Sequence, residues 1–363
     1  MMMTQGRDSL RDAKVMVVGC GALGNEVLKN LALCGVGHVV CVDFDRVETG
    51  NLTRSVLFRQ SDADGRRLKV DVAKERLLEI NPDMDILTLD ADIVYDVGLG
   101  VIREMDVVVS CVDSRWARFV INRHCARMNR PWVDGGIALA EGTVKVFVPG
   151  RNCYACSLAP EEMGVLKRRL SCANVVSTPG SQGVAPTSSI TASVIGAVQA
   201  QEAVRIISGD ASSCGKMFYY DGDVPTAGVA RFDAYDDDCP EHEMWEPVES
   251  SGFTVDTTVS DVLSSFRDGG SEVSILLRED KFVDWLEDRR TGERYRMMLP
   301  GRRVAESLPR GASPEDFYQN EYRTVDAAFP YGELTLGALG IPRGDVLHIC
   351  CAGKDRFLEL RWE

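Results

Sequence analysis

The sequence predicts an α/β fold: a doubly wound, Rossmann-like parallel sheet followed by a smaller C-terminal α+β domain. Three observations lead there. Short β-branched runs alternate with segments of helical periodicity through the first half of the chain. Those runs are apolar throughout, not alternately apolar, as strands covered on both faces are. The first of them runs into a glycine-rich turn that opens a helix, the start of a nucleotide-binding βα unit.

Taken in order, KVMVVG (14–19) reads as a strand and NEVLKNLALCG (25–35) as a helix closed by Gly35 and Gly37. HVVCVD (38–43) is the second strand, and KVDVAKERLLEI (69–80) a helix stopped by Asn81-Pro82. Strands follow at 85–93 and 106–113, a helix at 116–128, and extended chain at 132–138. GTVKVFVPG is a further strand, 151–190 is rich in Ser, Pro and Gly, and 191–209 has the apolar spacing of a long helix. The acidic stretch 233–252 reads as a linker, so the expected domains are 1–249 and 250–363.

Length supports two domains, since 363 residues exceed what one core of about 100–200 residues accounts for. With 41 Lys and Arg against 55 Asp and Glu, net charge −14, the chain is a poor match for a phosphodiester backbone, so no nucleic-acid partner is expected. No apolar run approaches the ~20 residues of a membrane helix, and the N-terminus lacks a secretory core, so a cytoplasmic protein without a membrane partner is expected. Twelve cysteines scattered through such a chain are read mainly as small buried hydrophobes, among them Cys20, Cys34, Cys41, Cys111 and Cys125.

Gly19-Cys20-Gly21-Ala22-Leu23-Gly24 follows a strand and opens a helix, and Asp43 ends the next strand nineteen residues later. The glycines permit a tight turn and close approach of a phosphate, the helix N-terminus favours the anion, and the acid can hold ribose hydroxyls. By itself this motif serves NAD, FAD or ATP. The following stretch shifts the balance, because Asp45, Asn51, Arg54 and Lys69 crowd behind the ribose acid. A redox cofactor needs no such cations. A triphosphate being cleaved does, together with a carboxylate for Mg²⁺. Asp113 lies at the C-terminal end of DVVVSCVD, where open α/β sheets present functional groups.

In order and spacing, GCGALG, VDFDRVETGNLTR, Lys69, SCVDSRWARFVIN and WVDGGIALAEGTVKVFVPGRNCYAC resemble the ThiF/MoeB/HesA family, the adenylating enzymes related to ubiquitin-activating enzymes. The resemblance covers roughly residues 10–245. It implies an ATP site in which Asp43 and Asp45 face the ribose, Asn51, Arg54 and Lys69 face the phosphates, and Asp113 holds Mg²⁺. Two departures stand out: Ser55 replaces the Gln many members carry after the arginine, and the arginine-rich N-terminal arm is reduced to Arg7 or Arg11.

Cys153-Tyr154-Ala155-Cys156 has the spacing of a zinc knuckle or a redox pair, and Cys239-Pro240-Glu241-His242 supplies a second pair at the same spacing. Together they make a Cys₃His set suited to structural Zn²⁺. In the resembled family two C-x-x-C pairs in these places bind zinc; here His stands for the last Cys. Cys172 follows Lys167, Arg168 and Arg169, cations that favour a thiolate. In many members a Cys of this crossover loop takes the activated carrier as a thioester.

In the last third, Cys351 and Arg356 have a spacing faintly like a rhodanese loop, but FLELRWE reads as a strand where that loop would open a helix. LTLGALGIPRGDVLHICCAG resembles part of a β-grasp, the module with which ubiquitin-activating enzymes recruit a downstream conjugating partner. The expected activity is ATP-dependent adenylation of a ubiquitin-like or sulfur-carrier protein ending in Gly-Gly, then transfer to Cys172, in a homodimer. The alternative is adenylation of a small molecule or a modified tRNA base by an enzyme of the same family.

Overall fold

The computed structural model describes residues 9–159, 161–163, 188–232, 235–267, 272–309 and 311–363. Among these the chain forms two compact units: one takes in 9–93, Ile102–Ala159 and 188–244, the other Val94–Val101 and Trp245–Glu363.

The first unit is built on an eight-stranded sheet. Its strands are β1 (Lys14–Val18), β2 (His38–Val42), β3 (Asp85–Leu89), β4 (Val107–Ser110), β5 (Trp132–Ala138), β6 (Glu141–Phe147), β7 (Lys216–Asp221) and β8 (Thr226–Arg231). They lie in the order β3-β2-β1-β4-β5-β6-β7-β8, parallel from β3 to β5 and antiparallel beyond. Val15, Val17, Val107 and Val109 are fully buried, which is why these strands read as unbroken apolar runs. Each such side chain contributes about 1.5–3 kcal/mol relative to exposure.

Four longer helices belong to this unit: α1 (Ala22–Cys34), α2 (Lys69–Ile80), α3 (Arg115–Arg127) and α4 (Ser189–Ile207). The expected helix boundaries hold to within a turn. α1 begins earlier than its apolar spacing suggested and ends at Gly35, whose φ of +83° only glycine adopts without strain. Ser114 and Ser188 cap α3 and α4, their hydroxyls accepting from Ala117 N and Thr191 N.

Three expectations need correction. β3 stops at Leu89, where the chain turns polar before the segment Val94–Val101 joins the second unit. Cys34 is exposed at the end of α1 and Cys111 is half-buried, whereas Cys20, Cys41 and Cys125 are buried as expected. Nor is the acidic stretch simply a linker: Pro240–His242 forms a helical turn in the first unit, and β9 (Val248–Ser250) joins a sheet of the second.

The second unit holds α5 (Val259–Ser265) and two sheets. The larger combines β9 with β10 (Val273–Leu276), β14 (Thr324–Val325), β15 (Val346–Cys351) and β16 (Lys354–Glu359), in the order β14-β10-β15-β16-β9. The smaller pairs β11 (Phe282–Asp288) with β12 (Arg294–Pro300) and β13 (Phe317–Tyr322). Cys351 and Arg356 stand on the β15–β16 hairpin, as the rejection of a rhodanese loop required. No helix among the described residues is long and apolar enough to cross a membrane.

Candidate active site and metal centre

β1 and β4 lie side by side where the strand order reverses, and parallel sheets open a crevice at the carboxyl ends of such a pair. Out of β1 the chain turns at Gly19, with φ +91° and its N–H donating to Val42 O at 2.8 Å. A Cβ on Gly24 would lie 1.9 Å from Gly19 O, so the turn closes only with glycine there. A Cβ on Gly21 would meet nothing within 4 Å, which leaves that side of the loop open to a ligand. The loop thereby presents backbone N–H groups and the N-terminus of α1 to an anion.

Asp43, just past β2, is held against this loop. Its carboxylate accepts from Cys20 N at 2.7 Å and from Asp45 N at 2.8 Å. Burial pushes its pKa above the ordinary carboxylate range, against the opposing pull of Lys69 and the two N–H donors. Lys69, buried at the first position of α2, donates to Asp45 Oδ2 at 2.7 Å and lies 4.0 Å from Asp43 Oδ2. Glycine loop, Asp43, Asp45 and Lys69 thus form one connected set. Asp45, expected at the ribose, has Lys69 as its direct partner.

Asn51 and Arg54 stand on the next segment. Asn51 Oδ1 accepts from Glu48 N at 2.9 Å, and half-buried Arg54 donates to Gly50 O at 3.1 Å. Asp113 is exposed just beyond β4. Its neighbour Val112 is fixed by Arg118, which donates to Val112 O at 2.6 Å, to Gly135 O at 3.1 Å and to buried Asp134 at 2.9 Å. An exposed carboxylate on a fixed loop suits Mg²⁺, which keeps most of its waters and takes its other ligands from phosphate. Arg11 is exposed before β1; Arg7 and Cys172, with Lys167, Arg168 and Arg169, lie outside the described residues.

Several residues that order this site carry no motif. Gln199 on α4, fully buried, donates to Ser110 O at 2.8 Å at the end of β4. Asn25 on α1 bonds both the glycine loop and the arginine segment. The signal available for either was a polar residue on the apolar side of a helix.

The second constellation is complete. Sulfurs of Cys153, Cys156 and Cys239 and a ring nitrogen of His242 all lie within 4.8 Å of one another. Cys153 Sγ is 3.4 Å from Cys156 Sγ and 4.0 Å from Cys239 Sγ, and Cys156 Sγ is 3.3 Å from His242 Nε2. A tetrahedral Zn²⁺ with bonds of about 2.3 Å to sulfur and 2.0 Å to nitrogen has ligand edges of about 3.5–3.8 Å. Four protein ligands leave no open position, so the site fits a structural ion. Around it, Tyr154 N donates to buried Asn122 Oδ1 at 2.9 Å, and Arg123 grips Glu241 through two bonds of 2.6 and 2.7 Å. Both ligand pairs are therefore anchored to α3.

A model of the ThiF family matches residues 1–241. The sulfur carrier protein ThiS adenylyltransferase of Escherichia coli K12 is 31% identical over 219 residues, 60% of this chain and 81% of that protein. The molybdopterin-synthase adenylyltransferase of the same organism is 33% identical over 220 residues, 60% and 82% respectively. The ubiquitin-like modifier-activating enzyme 5 of Caenorhabditis briggsae is 34% identical over 163 residues, 41% and 37%. Among solved structures, E. coli MccB with ATP superposes with a TM-score of 0.53 at 25% identity, covering 65% of this chain and 68% of that one.

Proposed function

This chain belongs to the ThiF family, and we propose that it uses ATP to activate the C-terminal carboxylate of a ubiquitin-like or sulfur-carrier protein ending in Gly-Gly. The observation that carries this reading is the connected set at the strand ends: an open glycine loop, a ribose acid, and a buried lysine already held in place. A dinucleotide would leave Lys69 and Arg54 without a purpose.

A carboxylate is a poor electrophile until its oxygen becomes part of a leaving group. One oxygen of the carrier's carboxylate attacks the α-phosphorus, the bond from that phosphorus to the bridging oxygen breaks, and pyrophosphate leaves with the electron pair. The glycine loop and the N-terminus of α1 receive the phosphates, and Asp43 holds the ribose hydroxyls. Lys69, Arg54 and Asn51 meet the charge that builds on the departing oxygens, the largest kind of contribution an active site makes. Asp113 would hold Mg²⁺, which neutralises phosphate charge when bound. Cys172 then attacks the acyl carbon through its thiolate, and AMP departs. Zinc at Cys153, Cys156, Cys239 and His242 ties the chain beyond β6 to the end of the unit. The enzyme works as a homodimer in the cytoplasm, and residues 250–363 recruit a downstream conjugating partner.

Mass spectrometry of the protein incubated with ATP and candidate carriers tests this. A carrier bearing AMP on its terminal carboxyl, together with a reducible carrier adduct lost in Cys172→Ser, supports it. Transfer of AMP to an added small-molecule carboxylate with no carrier present would favour a small-molecule substrate instead, and tight binding of NAD but not ATP would refute the reading.

A further inference from the structure

Asn25 is fully buried in the first turn of α1, and none of its amide atoms is idle. Its Nδ2 donates to Cys20 O at 2.7 Å and to Gly21 O at 3.0 Å, carbonyls of the glycine loop itself. Its Oδ1 accepts from Leu57 N at 2.8 Å, thirty-two residues further along the chain. An asparagine amide offers two donor hydrogens at one end and lone pairs at the other, so one planar group satisfies both segments at once.

We propose that Asn25 is a positioning residue that sets Arg54 in register with the phosphate loop. The inference rests on the adenylation reading and adds a residue to it. Leu57 ends the stretch that carries Asn51 and Arg54. Among the described residues the side chain of Arg54 is tied locally, to Gly50 O, and that of Asn51 to Glu48 N, so these bonds fix the shape of the segment but not its distance from the loop. The bond from Leu57 N to Asn25 ties the far end of the segment to the loop, as Asp43, accepting from Cys20 N and Asp45 N, ties the chain before it. Because Asn25 reaches the loop through Nδ2, a shift in either segment is transmitted to the other. Leu57 is itself buried in the core, which holds the segment's far end but places no donor on the loop. Geometry of this kind is costly to lose: a displacement of about 1 Å can lower a rate about 100-fold.

The test is a double-mutant cycle on carrier-dependent exchange of pyrophosphate into ATP. Asn25→Ala should lower the exchange rate about 10- to 100-fold at saturating ATP, and should do much less once Arg54 is already alanine, because both substitutions remove the same interaction. A merely structural Asn25 would shrink the active fraction equally in either background. ATP-binding stoichiometry measures that fraction, and rates are taken per binding site. If Asn25→Ala does not fold, Asn25→Ser, which keeps a hydroxyl for one of the buried carbonyls, carries the same cycle. Independent, multiplicative losses would overturn the proposal, as would an Asn25 variant as fast as wild type. Absence of exchange in the wild-type protein would instead strike the adenylation reading itself.

Discussion

The strand ends of the first unit and the interior of the second use buried polar groups for opposite ends. At the first, Asn25, Lys69, Asp134 and Gln199 are buried near the carboxyl ends of parallel strands, with half-buried Asp43 beside them. There Asp43 and Lys69 keep hydrogen-bonding capacity to spare after their contacts with each other and with Asp45. In the second unit the buried and half-buried charged groups are taken up by their neighbours. Arg278 pairs with Asp345 at 3.0 Å, Arg302 with Asp280 at 2.8 Å, Lys281 with Glu321, and Tyr331 donates to Asp284 at 2.8 Å. A polar group left with capacity after folding is where a ligand enters. One consumed by its neighbour specifies packing. Substitutions at the strand-end crevice of the first unit should therefore change activity more than stability, and those at the ion pairs of the second the reverse.

The Cys₃His cluster, with zinc bound, would be the strongest exception to that division. Structural zinc contributes on the order of 10 kcal/mol of apparent folding energy in small modules. Chelation, or Cys153→Ser, should give the largest fall in the calorimetric midpoint of any change considered, with one zinc released per chain. A protein that binds no zinc and melts unchanged in chelator would remove the centre from the account.

Next in size is Arg278→Met, which leaves the Asp345 carboxylate buried without its main cation and should cost about 3–5 kcal/mol at pH 7 while exchange activity persists. Burial holds the pKa of Asp345 above its ordinary value, and Arg278 opposes that rise. The folded state thus favours the protonated acid, so the penalty is present above the folded pKa and is relieved as pH falls through it. Urea unfolding should show a smaller deficit at pH 5 than at pH 7; a deficit independent of pH would assign the loss to packing alone.

Arg54→Ala and Lys69→Ala should each lower exchange about 100- to 1,000-fold, roughly 2.7–4 kcal/mol of transition-state stabilisation, with little change in melting for Arg54→Ala and a modest fall for Lys69→Ala, which leaves Asp43 without its cation. Equal losses of stability would blur the comparison between the units. The smallest effect expected is Thr258→Ala, which removes the hydroxyl accepting from Asp261 N at 3.1 Å at the start of α5. It should cost about 1 kcal/mol by urea unfolding and leave activity untouched.

What could be read from the sequence followed from what is local. Apolar strands, the Gly19–Gly24 turn and the paired metal ligands each announce themselves within a few residues. The rest depends on partners far along the chain. Leu99 N donates to Asp345 Oδ1 at 2.9 Å across 246 residues, and nothing within Val94–Val101 signals that it belongs with the second unit. β9 is three residues, Val-Glu-Ser, too short and polar to show a strand period. Asn25 reads as any polar residue in a helix, because one of its partners, Leu57 N, lies thirty-two residues away. Asp45 could be listed beside Lys69, but only the fold brings them to 2.7 Å.

The most direct measurement is a crystal structure with a magnesium nucleotide and the carrier's C-terminal peptide. Phosphate oxygens should lie along Gly19–Gly24, with Arg54 and Lys69 each within about 3 Å of one of them and the peptide carboxylate in line with the α-phosphorus. Arg54 and Lys69 directed into solvent, with the phosphates elsewhere, would contradict the adenylation reading.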